Sequence, residues 1–423
     1  MLAGFGKGEI IFSEEMLPIE GFCGIHDNPH VRVMYLEGKT DALALCVMEL
    51  VNVPEKEIAF AREWMAEAFG ISLEKTWVHM THAITTPHEP GPMGPPEKRP
   101  PLTKRQKEQR AMFSCAVRSA FKKALTKAKE DISVSKLGWG RGSCLANQNR
   151  DVKTSFGWWI GIGGEGPSDK EMDVLRVEDG HGKLKGLLVN YALKPCAADN
   201  SGMDTGTRQI SSDCCGMASA QVEEESDAVV IYTMGAAGDQ VPVKTSLLEI
   251  VTEDGQIEKQ DEGAEKGLEY AGEVAEILAK SILAISADII CSEAEMPMGW
   301  EYIAFDWGLQ KRRPRLLMNS VTYEAEGKTE SYTAEMLRIG EAVLIANRTE
   351  TMTQTGLELK EKSPFPYTML LCMTNGEAKY LPDIRSMERG TWEAQSSKYL
   401  PGCAEKFVEE TVKAMEKLAD KEE

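Results

Sequence analysis

No stretch of this 423-residue chain reaches the roughly eighteen uninterrupted apolar residues that a membrane span needs. The longest candidate, 282–291, is too short and continues a helical pattern. The opening run Met1-Leu2-Ala3-Gly4-Phe5-Gly6-Lys7-Gly8-Glu9 lacks the basic start and apolar stretch of a signal peptide, so a cytoplasmic protein is expected. Among ten cysteines there is no CxxC and no zinc-finger spacing, and they read as free thiols of a reducing compartment. Positive charge is also short: 48 Lys and Arg face 67 Asp and Glu, for a net −19. A surface so acidic repels phosphate backbones and anionic lipid, so neither nucleic acid nor a membrane is expected as a partner. A small-molecule substrate is, and the oligomeric state stays open. Histidine is scarce too, yet three of the six, His79, His82 and His88, fall within ten residues.

What is present is a strand-and-helix pattern. Val31–Leu36 and Ala42–Val47 read as two core strands joined by a short turn. Pro54 opens a helix with Ile58, Ala61, Met65 and Phe69 on one face, ended by Gly70. Thr76–Met80 is a strand that leads into Thr81-His82. The Pro- and Gly-rich stretch 88–101 is an irregular loop, and Thr103–Glu130 a basic helix with a packed apolar face. Strands then alternate with helices, with 266–291 a long amphipathic helix and 404–421 a charged terminal one. Thr252–Gly263 reads as an acidic, polar turn segment, and the chain between Cys291 and Ala342 as a mixed stretch. Continuous apolar strands imply burial on both faces, so the expected fold is α/β: one large mixed, mainly parallel sheet flanked by helices on both faces. No repeat or linker breaks the chain, and a single domain over 1–423 is expected. Gly161–Gly166 has the composition of a dinucleotide fingerprint but no following helix pattern, and is discounted.

In open α/β sheets functional residues collect in the loops after strand C-termini. Four such loops are distinctive: Thr81-His82-Ala83-Ile84-Thr85-Thr86-Pro87, Asn190-Tyr191-Ala192-Leu193-Lys194-Pro195, Gly235-Ala236-Ala237-Gly238-Asp239-Gln240-Val241-Pro242, and Asn375-Gly376-Glu377-Ala378-Lys379-Tyr380-Leu381-Pro382. Taken in order, and with Asp213 and Gly216 in an S-x-D-x-x-G helix start, they resemble the catalytic domain of the neutral/alkaline ceramidases from about residue 20 to about residue 400. The separate immunoglobulin-like C-terminal domain of that family has no counterpart here. The resemblance implies a zinc site, or a manganese one, at which a metal-bound water attacks an amide carbonyl. It places metal ligands on His82, Glu350 and Tyr380, and groups near the reacting centre on Arg150 and Asp239.

The departures are as specific. Lys194 stands where the family has its second histidine ligand, Ile84 where it has the second histidine of an H-T-H pair, Val241 where it has a serine, and Trp392 where it has a tyrosine. The leading expectation is a metal-dependent hydrolase acting on a small soluble amide or sugar derivative rather than on ceramide, with Lys194 as an electrostatic group or, if its pKa is depressed, a fourth ligand. Alternatives are a metal-free lyase or isomerase using Lys194 as base or Schiff-base amine, and a non-catalytic relative that binds a small ligand. Arg150 with Lys194 suggests a ligand carrying a carboxylate or phosphate. The competing reading of Arg150 is a structural salt bridge, and that of His79 a strand residue facing away from the loop.

Overall fold

A computed structural model describes residues 1–420 apart from 93–98, 200 and 204. The main sheet has eight strands: β1 (Leu2–Glu9), β2 (His30–Glu37), β3 (Ala42–Met48), β4 (Thr76–Met80), β5 (Ser133–Ser143), β6 (Glu171–Asp179), β7 (Leu184–Tyr191) and β8 (Val229–Met234). Their spatial order is β8-β7-β6-β5-β1-β2-β3-β4. Only the two outer pairs, β7 with β8 and β3 with β4, are parallel; every pair between them is antiparallel. A second sheet follows, in the order β9 (Met298–Gln310), β10 (Ala325–Ile339), β11 (Ala342–Ala346) and β12 (Tyr367–Leu371), antiparallel except for the last pair.

Side-chain alternation sets the layers. Met34, Leu36, Leu43, Leu45, Val47, Leu175 and Leu188 from the main sheet pack against Leu337, Ile339, Leu344, Met369 and Leu371 of the second. The intervening residues point the other way. Val31, Val33, Ala44 and Cys46 meet helices α1 (Glu55–Phe69) and α2 (Lys104–Glu130). Val174, Val189 and Val230 meet α3 (Asp213–Ser226) and α4 (Ala264–Ala287). On the far side, Val343 and Ile345 lie under α5 (Thr353–Lys362) and α8 (Cys403–Asp420), the latter following the short helices α6 (Ile384–Arg389) and α7 (Trp392–Ser396).

The arrangement is helix, sheet, sheet, helix, which corrects two expectations. The main sheet is mixed and mostly antiparallel, and helices cover one of its faces while the second sheet covers the other. Runs such as Ala42–Met48 are apolar throughout because both faces are buried, and two-sided burial does not require parallel strands. The close seat of α2 on β1 comes from glycine. A Cβ on Gly4, Gly6 or Gly8 would come within 2.2 Å of a carbonyl oxygen of Ala128, Ala124 or Ala120. Gly6→Ala should therefore push α2 off the sheet and lower unfolding free energy by roughly 1–3 kcal/mol in a urea titration, the usual cost of overpacking.

Candidate active site

The three parallel pairs of the two large sheets, β3/β4, β7/β8 and β11/β12, end at the same region, and the sheets are tied together there. Met234 O accepts from Cys372 N (3.0 Å), and Met373 O from Met80 N (3.2 Å). The chain leaves β4 toward His82, β7 toward Lys194, β8 toward Gly238 and Asp239, β11 toward Glu350 and β12 toward Tyr380. Glu350 and Tyr380 are then neighbours in register in a short parallel bridge. Gly238 lies against it, its N–H donating to Thr351 O at 2.9 Å.

Four of the sequence-selected side chains converge here. Glu350 Oε2 accepts from Lys194 Nζ at 3.0 Å and lies 3.6 Å from His82 Nε2. Lys194 Nζ also faces Tyr380 OH at 3.5 Å and the Gly238 carbonyl at 3.4 Å. His82 sits at a left-handed φ of +61°, a conformation that costs a non-glycine residue energy and turns its side chain inward. Its Nδ1 is 2.6 Å from Val51 O, and a carbonyl only accepts, so Nδ1 carries the proton and Nε2 is the unprotonated nitrogen. Arg150 joins from the loop beside Asn147–Asn149. Its Nη2 donates to Tyr380 OH at 3.3 Å, and its guanidinium grips Glu393 Oε1 at 2.5 and 2.6 Å. The structural ion pair weighed for Arg150 is real, and it coexists with a position at the cluster.

Burial alone would raise the Glu350 carboxyl, but Lys194, His82 and Arg150 override it and hold its pKa down at about 2. Burial and Arg150 would lower Lys194, yet Glu350 and Tyr380 raise it above the ordinary lysine value. Burial, helped by Lys194, lowers His82, so its imidazole is neutral near pH 7. Burial and the Glu350 charge raise Tyr380, which keeps it a phenol.

Two expectations need correction. Asp239 does not face this cluster: its carboxylate accepts from Thr353 N (2.9 Å), Thr353 Oγ1 (2.7 Å) and Asn149 Nδ2 (2.8 Å), and its own carbonyl accepts from Arg150 N (2.9 Å). It is a buried hub that holds the start of α5 and the Arg150 loop together. Lys194 does not have the depressed pKa that a neutral ligand or amine nucleophile needs, because Glu350 and Tyr380 beside it stabilise the ammonium. His79 behaves as the strand residue it was weighed to be: buried, with Nε2 accepting from Met234 N at 3.0 Å. His88 pairs with Glu20 instead of entering the site.

Sequence reading missed several contributors. Glu393, on α7, anchors Arg150 from 243 positions away. Asp151, buried beside Glu393 and Asp239, has its pKa raised by burial and by those two carboxylates. Asp199 is raised to about 6 by burial and by Asp213, against the pull of Arg150. Asn52 donates to Glu377 at 2.6 Å, next to the Val51 carbonyl that orients His82. None of these carries a local motif; only the Asn-Arg-Asp run at 149–151 hinted at polar density.

No family model matches the sequence, and neither does any curated protein. Solved structures do. A ceramidase complexed with C2 superposes with a TM-score of 0.71 at 13% identity, over 99% of this chain and 75% of that one. The neutral ceramidase from Pseudomonas aeruginosa gives 0.69 at 15% identity, over 99% and 74%. The chain has the neutral ceramidase fold.

Within that fold the implied metal can be tested against the side chains present. His82, Glu350 and Tyr380 converge as the resemblance requires, but the fourth position carries an ammonium already bonded to the carboxylate oxygen a metal would take. Among the described residues no group of three or more His, Cys, Asp or Glu side chains gathers as a metal site. The donor set does not fit a divalent cation. A dication near 4 Å from that ammonium would meet a repulsion on the order of 8 kcal/mol at an effective dielectric of about 20.

Proposed function

We propose that this protein is a metal-independent hydrolase of a small polar amide or ester, in which the Lys194 ammonium supplies the fixed positive charge of the centre. The observation that carries the reading is the bond from Lys194 Nζ to Glu350, with Tyr380 OH and the Gly238 carbonyl around the same nitrogen. Neutral His82, locked as the Nδ1–H tautomer by Val51, is the general base. Its Nε2 takes a proton from water as the water oxygen bonds to the substrate carbonyl carbon. The carbonyl π pair moves onto oxygen, where Lys194, Tyr380 OH and Arg150 are the available donors for the oxyanion. Glu350, 3.6 Å from Nε2, stabilises the imidazolium until it returns the proton to the leaving group. Schiff-base chemistry at Lys194 is disfavoured, since it needs the neutral amine. No helix among the described residues is long and apolar enough to cross a membrane, and the ten cysteines are free.

The test is a screen of chromogenic amides and esters with protein dialysed against chelator. Turnover should survive chelation and fall about a hundredfold or more in His82→Gln, the range general-base catalysis supplies. Turnover that appears only after zinc or manganese is restored, or no hydrolysis of any test compound, overturns the proposal.

A further inference from the structure

Outside the converging side chains, the most unusual feature of this acidic chain is a run of positive charge, Lys311-Arg312-Arg313-Pro314-Arg315, leaving β9. The run is held against the site. Leu316 N donates to Gln395 Oε1 at 2.8 Å and Gln395 Nε2 donates back to Leu316 O at 2.9 Å, which clamps the segment to α7. Farther along, Tyr323 OH donates to Met387 O at 3.0 Å.

From this segment cations and rings alternate inward. The Arg315 guanidinium carbon lies 4.4 Å from the Trp392 ring, and Arg150 lies 5.5 Å from the same ring. Trp392 meets Tyr380 edge-on at 5.7 Å, and Lys194 Nζ lies 5.3 Å from the Tyr380 ring. At the inner end Glu393 and Glu350 balance Arg150 and Lys194, while the rings contribute cation–π support to all three cations. Acids are missing at the outer end. Lys311 pairs with Glu324, but Arg312 and Arg315 are exposed with no carboxylate partner among the described residues. Arg315 donates to Ser396 Oγ, at 3.3 Å; Arg313 donates Nη1 to Thr322 O and lies over Tyr323, its guanidinium carbon 4.6 Å from the ring, with Nε and Nη2 buried. In a chain of net −19, guanidinium donors left unpaired beside a catalytic candidate are a receptor for negative charge.

We propose that Arg312 and Arg315, with Trp392 beneath Arg315, bind an oxyanion group, carboxylate or phosphate, on the molecule whose reacting carbonyl reaches Lys194; calling that molecule a substrate rests on the hydrolase reading above. Guanidinium is the suitable cation because its planar fork matches the paired oxygens of either group. Trp392 then separates the anchoring cations from the reacting ones and sets the distance between the substrate's anionic and scissile groups.

The experiment is isothermal titration of the intact protein with inorganic phosphate and, separately, with succinate, at constant ionic strength. Saturable binding of at least one is expected, and which one identifies the anionic group. Affinity should fall about tenfold or more in the exposed-surface variant Arg312→Gln/Arg315→Gln, and stay unchanged in Lys280→Gln on α4. No saturable binding to the unaltered protein, or an unchanged dissociation constant in the double variant, overturns the proposal. Calorimetry reads binding without turnover, so an inactive protein that binds these anions through Arg312 and Arg315 sinks the hydrolase reading and leaves this one standing.

Discussion

Lys194→His should hold about one zinc ion, the stoichiometry of a four-donor tetrahedral site, where the unaltered protein is expected to hold none. Three donors are already placed. His82 presents Nε2 because Val51 holds Nδ1–H, the outer tie that metal-bound histidines generally have. Glu350 and Tyr380 are adjacent in register. What blocks the metal is the ammonium, and Lys194→His removes the charge while adding an imidazole. Elemental mass spectrometry after zinc incubation and exhaustive dialysis reads the outcome, with His82→Ala in the Lys194→His background as the variant that should lose the ion again. If the unaltered protein retains stoichiometric zinc, the lysine does not exclude it. If Lys194→His stays metal-free, Lys194 does not stand at the ligand position. Either result would sink the claim that a lysine has taken over the metal's charge.

Much of this site was legible through the resemblance to the neutral ceramidases, whose loops keep their order along this chain. His82, Lys194, Glu350 and Tyr380, placed by that resemblance, converge. Asp239 was placed in the right loop and given the wrong role, since sequence does not show that Thr353 and Asn149 consume its oxygens. Glu393 was invisible: its partner Arg150 lies 243 residues away, and an isolated glutamate on a five-residue helix gives no signal. The second sheet escaped for a different reason. Its β10 strand alternates buried Tyr332, Ala334 and Met336 with exposed Ser331 and Thr333, but its first five residues, Ala325 to Thr329, are exposed throughout, and that polar run masks the period of two. Without that sheet, the apolar runs of β3 and β7 pointed to helices on both faces.

Glu350→Gln should be the most destabilising single change at the site, because it strands the Lys194 ammonium in a buried setting. Lys194 and Glu350 side chains are 3% and 5% exposed, and breaking such a pair from one side typically costs about 3–5 kcal/mol. Removing both charges should cost far less, so Lys194→Met/Glu350→Gln is expected to recover most of the loss in urea unfolding followed by circular dichroism. The same pair sets an acid limb. Glu350 titrates at about 2 in the folded chain against an ordinary 4.5. Between those values the unfolded chain binds more protons, so stability falls as pH falls. The group's full contribution is present above about pH 4.5 and is lost through pH 2, roughly 3 kcal/mol in all. Subtracting the Glu350→Gln curve from that of the unaltered protein isolates this limb from other carboxylates held low by ion pairs, such as Glu223, which is also near 2 against its Arg32 partner. A flat difference between pH 5 and 2, or a double variant less stable than Glu350→Gln alone, would show that Lys194 and Glu350 do not stabilise each other's charge. In that event the positive centre on which catalysis is proposed to rest would have no anion to hold it.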